Sequence, residues 1–232
     1  MNTGVQLNYL LVLFLVLYIL AASLRAGLHA LNISHLRLRG HEIPREFSGI
    51  VDKEKLEEIQ NYTIATGRLG VLRGLSLDIF LPALVLSGFL PWLSGAIASR
   101  DLTFVLSGIL FFFGCYVLIG LFELPFDLFQ TFRVEKRFSF STITWSTWAA
   151  DLVKSVLVSA LLLGILLAGI FSLIRLTPDG WWLWAWLFFI VFQLLVSWLY
   201  PVVISPLFNK FEPVKDRALA RDIASLADRA GF

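Results

Sequence analysis

Five stretches of this sequence contain no Asp, Glu, Lys or Arg: Met1–Leu24, Ile79–Ser99, Leu102–Phe122, Ser155–Ile174 and Gly180–Asn209. Each reaches or exceeds the roughly 20 residues that carry a helix across about 30 Å of hydrocarbon. A soluble core helix has no need of that length, and a soluble domain has no need of five such runs. The pattern predicts an all-α fold, a polytopic membrane helix bundle with about five transmembrane helices. Their limits are expected near residues 5–24, 79–99, 102–122, 155–174 and 181–205. The first run could also be a cleaved signal peptide. Its N-terminus, MNTGVQLNY, lacks the basic residues of such a peptide, which favours a retained span.

The polar segments between the runs carry their own periodicity. Lys53–Arg73 reads as an amphipathic helix in the first loop, with Leu56, Ile59, Tyr62 (or Thr63) and Thr66 along one stripe. It is expected to lie on the membrane surface or to pack beneath the spans, the alternative being a direct contact with substrate. The third loop, Glu123–Lys154, mixes Phe126, Phe129, Phe132, Phe138 and Phe140 with Asp127, Arg133, Glu135, Lys136 and Arg137. Rings interleaved with cations can mark a nucleic-acid surface. Beside two spans they suit the lipid headgroup region instead, so no nucleic acid is expected as a partner.

After the fourth run, Thr177-Pro178-Asp179-Gly180 is a turn signal, and Trp181, Trp182, Trp184 and Trp186 follow as an interfacial belt. Pro201 and Pro206 are expected to kink or end the last span. Pro213–Ala230 reads as a helix whose Leu219, Ile223, Leu226 and Ala230 share one stripe, with Gly231 placed as a C-cap. That stripe needs something to bury it, which points either to a further domain beyond Phe232 or to docking on the first or third loop. The expected organisation is a membrane domain over residues 1–212 and the truncated start of a cytoplasmic helical segment over 213–232.

Composition strengthens the membrane reading: 58% of residues are hydrophobic and 16% charged, against roughly 25% charged in soluble domains. The net charge of +2 is small, but its distribution is lopsided. If the chain alternates sides, seventeen of the nineteen Lys and Arg collect on one face, and Arg100 and Arg175 stand on the other. This is the positive-inside pattern, which puts the N-terminus outside and the C-terminus in the cytoplasm. The sequons at Asn32 and Asn61 then face the cytoplasm and are expected to stay unmodified.

Candidate chemistry is sparse. The lone Cys115 sits within an apolar run, where a thiol packs as a small hydrophobe. The histidines, His29, His35 and His41, are six apart, whereas helical facing needs three or four. His41-Glu42 begins like a zinc motif, yet no second histidine follows and Pro44 would break the helix. There is no GxSxG and no phosphate loop. Asp78, Glu123 and Lys154 lie at run edges, where snorkelling to the interface is the simpler account.

Two longer patterns remain: Leu124-Pro125-Phe126 with Thr131-Phe132-Arg133-Val134-Glu135-Lys136-Arg137-Phe138-Ser139-Phe140, and Pro201-Val202-Val203-Ile204-Ser205-Pro206-Leu207-Phe208-Asn209-Lys210-Phe211. Together with Thr142–Trp145, Asp151–Lys154, Leu226–Phe232 and, more weakly, Asn61–Ala65, they resemble the type I CAAX prenyl proteases. The resemblance implies a multi-span zinc metalloendopeptidase whose spans enclose a chamber, with an HExxH site on a cytoplasm-facing domain. It also implies a peptide or prenylated-protein substrate. The positions that match the signature, and that the resemblance would put at the chamber or an interface, are Glu123, Pro125, Phe132, Glu135, Phe140, Asp151, Lys154, Pro206, Asn209 and Phe211.

No HExxH occurs in the sequence, so no catalytic or zinc-binding residue carries over. The expectation is a membrane-embedded N-terminal domain with no cofactor of its own. Zinc belongs to the full-length family protein, and the partners are the lipid bilayer and a C-terminal protease domain. The host membrane is either a bacterial inner membrane or the endoplasmic reticulum. The competing reading is a non-enzymatic scaffold or transporter-like subunit. Against a transporter stand the absence of a clear internal repeat and spans in which Gln193 is the main midspan polar residue.

Overall fold

The computed structural model describes residues 8–39, 52–212 and 214–231. Among them there is no strand, and five helical stretches are long and apolar enough to cross a membrane. The first seven residues and the segment holding His41, Glu42 and Pro44 lie outside the described residues. The chain divides into two compact units, Met1–Trp148 and Ala149–Phe232.

In the first unit, α1 (Tyr9–Arg39) and α2 (Lys53–Leu86) run antiparallel. Gln60 near the start of α2 meets Leu36 near the end of α1, and Asp78 meets Arg25. The polar segment that reads as a separate amphipathic helix is the first half of α2. Nothing between Arg73 and Ile79 breaks a helix, so the backbone runs on into the apolar stretch. Pro82 is absorbed within it.

The break comes later than expected. Gly88 adopts φ 79°, a left-handed conformation, and divides the second apolar run. The short helix α3 (Phe89–Ala98) follows it. Thr103 caps α4 (Phe104–Phe129) by accepting from the Leu106 amide.

Residues Glu123–Glu135, read from sequence as loop, are helical. α4 passes into a π-helical segment, Gln130–Glu135, making a continuous 32-residue rod. At 1.5 Å per residue this is about 48 Å, longer than the hydrocarbon. Charge could not stop the helix, because Glu, Lys and Arg are good helix formers. The true turn is brief, and α5 (Trp145–Leu176) takes up again before Asp151.

In the second unit, the chain leaves α5 through the Pro178-Asp179-Gly180 turn into α6 (Trp181–Leu199). Pro201 and Pro206 do not end this span. A second π segment, Tyr200–Ile204, and the single turn α7 (Ser205–Phe208) continue it to Phe208. Widening to π geometry is one way a helix accommodates lost i→i−4 bonds. The α5–α6 contact is close: a Cβ added to Gly169 would collide with the Phe188 ring.

The tail helix α8 (Arg217–Ala230) begins four residues later than expected from Pro213. Asp216 sets its start by accepting from the Ala218 and Leu219 amides. Gly231, at φ 81°, terminates it as the sequence predicts.

Hardly any apolar side chain is sequestered by protein: among the described residues only Val134 and Leu167 count as buried hydrophobics. Large side chains such as Phe14, Leu17, Ile79, Leu161 and Leu194 face outward. In water such a surface would aggregate. In lipid it is already solvated, and the helices need only satisfy their own backbones.

Candidate functional site

The polar contacts of the first unit gather where α2 meets the end of α4. Arg73 reaches Glu123 at 2.9 Å and Asp127 at 2.9 Å, tying the two helices together with one guanidinium. A planar fork holding two carboxylates fixes the register of both helices. One and a half turns further into the apolar part of α2, Asp78 accepts from Arg25 at 2.6 Å and from the Tyr18 hydroxyl at 3.4 Å. Asp78 and Glu123 are therefore partnered across helices rather than snorkelling singly.

Toward the other end of α2 the contacts become aromatic. Tyr62 packs against Phe138 (5.5 Å between ring centroids) and Phe140 (4.6 Å). Phe132 stacks on Trp145 at 3.7 Å with the rings 9° apart, and the Lys136 ammonium sits 4.8 Å from the Phe132 ring centre. Val134 between these rings is 5% exposed and anchors the π segment inward. Gln130 donates to Glu135 at 3.4 Å across the π turn, and the Phe140 amide donates to the Glu135 carbonyl at 2.9 Å.

A cleft of about 800 Å³ opens between α2 and this segment, lined in part by Arg68, Arg133, Lys136 and Arg137. A smaller cavity of about 190 Å³ adjoins Thr66, Arg73 and Gln130. The Thr66 hydroxyl is buried with no hydrogen-bond partner, so that cavity offers a place for a polar guest.

In the second unit, Lys154 donates to Asp151 at 3.0 Å and to the Leu207 carbonyl at 3.2 Å, and lies 5.8 Å from the Phe208 ring. α5 is thereby tied to the turn after the second π segment. Pro206 sits in α7, and Asn209 closes that turn through its amide to the Ser205 carbonyl at 3.0 Å. Phe211 is 69% exposed.

The sequence-derived positions thus fall into two groups. Glu123, Phe132, Glu135 and Phe140 lie in the first unit, with Glu123 at Arg73 and Phe140 about three helical turns away at Tyr62, and Asp151, Lys154, Pro206 and Asn209 lie in the second. Pro125 is simply absorbed into α4. Sequence reasoning missed Arg73, Arg68 and Gln60 as site residues. The first two entered only as counted charges, and Gln60 carries no local signal. Tyr62 was legible through its place on the amphipathic stripe and through the weak Asn61–Ala65 match. Zinc does not fit the described residues: no three His, Cys, Asp or Glu among them stand together.

Five helices long and apolar enough to cross a membrane, with their large side chains facing outward, define a polytopic α-helical membrane protein. Residues 32–210 match the family described as CAAX prenyl protease N-terminal, five membrane helices, and the chain belongs to that family. It is 27% identical over 197 residues to a CAAX prenyl protease 1 homolog of Arabidopsis thaliana, covering 82% of this chain and 46% of the relative. An uncharacterized metalloprotease, YhfN, of Bacillus subtilis is 33% identical over 164 residues, which is 68% of this chain and 37% of that one. The crystal structure of S. mikatae Ste24p superposes with a TM-score of 0.81 at 24% identity, covering 92% of this chain and 51% of that one. The chain spans about half or less of the length of these relatives. Both π segments overlap the two sequence patterns that carry the resemblance.

Proposed function

We propose that this chain is the membrane-embedded N-terminal domain of a CAAX-prenyl-protease-like zinc metalloendopeptidase and forms part of its chamber wall. The single observation that carries the reading is the family match over residues 32–210, whose five membrane helices agree with the five spans present. In this reading the chain contributes no proton transfer and no metal ligand. Its helices enclose the substrate, and the α2–α4 ion pairs hold the wall in register. Zinc, supplied with its HExxH helix by a C-terminal protease domain, would activate the attacking water.

The basic ends of α1, α2, α4 and the last span face the cytoplasm on this proposal, because seventeen of nineteen cations then lie inside. A prenylated or otherwise apolar peptide is the substrate class the relatives' names suggest. The test is a fusion of this chain to the C-terminal half of the S. cerevisiae CAAX prenyl protease 1. The fusion should bind one zinc and cleave a farnesylated CAAX peptide, and the chain alone should do neither. Stoichiometric zinc on the isolated chain would overturn the reading. So would a folded, zinc-loaded fusion with no cleavage where the yeast protein's own N-terminal half restores it.

A further inference from the structure

We infer that the cleft between α2 and the first π segment binds the phosphate of an anionic phospholipid. Four cations line it, Arg68, Arg133, Lys136 and Arg137, and no carboxylate does. Among the described residues none of the four makes an ion pair. Other cations of the bundle do find a carboxylate. Arg25, Arg73 and Lys154 each hold a carboxylate within 3.0 Å. Four like charges gathered on one cleft repel one another, and an anion is the missing counterpart.

The depth selects a lipid. Arg68 lies five residues before Arg73 on α2, about 7.5 Å along the axis away from the apolar half of the helix. The cations therefore stand just outside the last charge pair of the apolar belt, at the level of headgroups. Leu69, Leu72 and Phe129 extend the cleft as an apolar wall, and Leu72 and Phe129 are exposed, as an acyl chain requires. A free phosphate would have no use for that wall. Basic pockets between membrane helices commonly hold lipid phosphates, and guanidinium forks match phosphate oxygens in pairs.

The site is also shaped before any ligand arrives. Phe132 is clamped on Trp145, Lys136 is drawn over Phe132, and Val134 is locked inward. Arg133 is carried between two immobilised neighbours. The volume of about 800 Å³ is enough for a glycerophosphate headgroup and the first methylenes of its chains.

Native mass spectrometry of the purified 232-residue chain in detergent, with phosphatidylglycerol and phosphatidylcholine offered together, tests the site. One phosphatidylglycerol should be retained with about tenfold preference. Arg68→Gln with Arg133→Gln and Arg137→Gln should abolish the preference. Arg217→Gln with Arg221→Gln and Arg229→Gln on α8 should leave it intact. Equal retention of the two lipids by the unsubstituted chain would overturn the inference, whatever the variants do. Equal loss in both triple variants would overturn it too, by showing mere surface charge. Displacement of the lipid by millimolar inorganic phosphate would show a site for a free anion instead. The lipid competition needs no protease activity, so its failure is separate from failure of the function proposed above.

Discussion

Arg73 on α2 and Glu123 on α4 meet at 2.9 Å across two antiparallel helices, and Asp127 takes a second nitrogen of the same guanidinium. Two carboxylates one helical turn apart would repel each other without the cation. Removing Arg73 therefore leaves two uncompensated anions at the membrane boundary. Arg73→Met is expected to cost about 1–3 kcal/mol, read as a lower unfolding temperature in detergent. Glu123→Gln in the same chain should return part of the loss. If Arg73→Met alone leaves the transition unmoved, the pair is ornamental and the register is set by packing.

Gly169 and Phe188 set the distance between α5 and α6. Gly169→Val would force its side chain into the ring, and overpacking of this kind costs about 1–3 kcal/mol. Phe188→Leu in the same chain should recover most of it by vacating the space. Thermal unfolding of the two single variants and the double variant reads the coupling. Strict additivity would show that the helices separate freely.

The five spans were legible because lipid imposes a requirement on sequence that is local: about 20 residues without charge. The C-cap at Gly231 was legible for the same reason, since it acts on the backbone beside it, whereas the N-cap at Asp216 was passed over for Pro213. What escaped was anything set by register between distant helices. Gln60 donates to the Leu36 carbonyl at 2.7 Å, a contact that nothing in either segment announces. The ends of the helices also escaped. A charged residue marks where hydrocarbon stops, not where a helix stops, so α2 and α4 run through the positions read as loop. Of the two outcomes expected at the prolines, ending the span is excluded, because the second π segment lets the last span pass them.

Tyr62 fastens the turn after the first π segment by touching Phe138 and Phe140. Each aromatic pair contributes about 0.5–1.5 kcal/mol. Tyr62→Ala should release that turn while leaving the helices in place. Limited trypsin digestion at Lys136 and Arg137 is expected to accelerate several-fold with unchanged far-ultraviolet circular dichroism. Tyr62→Phe, which keeps the ring, should digest like the unsubstituted protein.

The orientation proposed for the chain can be read directly. Cys115 is the one cysteine in the sequence, so Cys115→Ser gives a blank background for labelling. Arg100→Cys sits between the second and third runs, and Lys136→Cys follows the first π segment. A membrane-impermeant maleimide added to intact cells should label the first at once and the second only after permeabilisation. The force behind this expectation is cumulative. One cation shifts the balance little, but seventeen against two makes the inverted insertion strongly unfavourable. Label reaching both positions from the same side would require an odd number of crossings to be lost or gained between them, and would remove the basis for placing the α2–α4 basic cleft in the cytoplasmic leaflet.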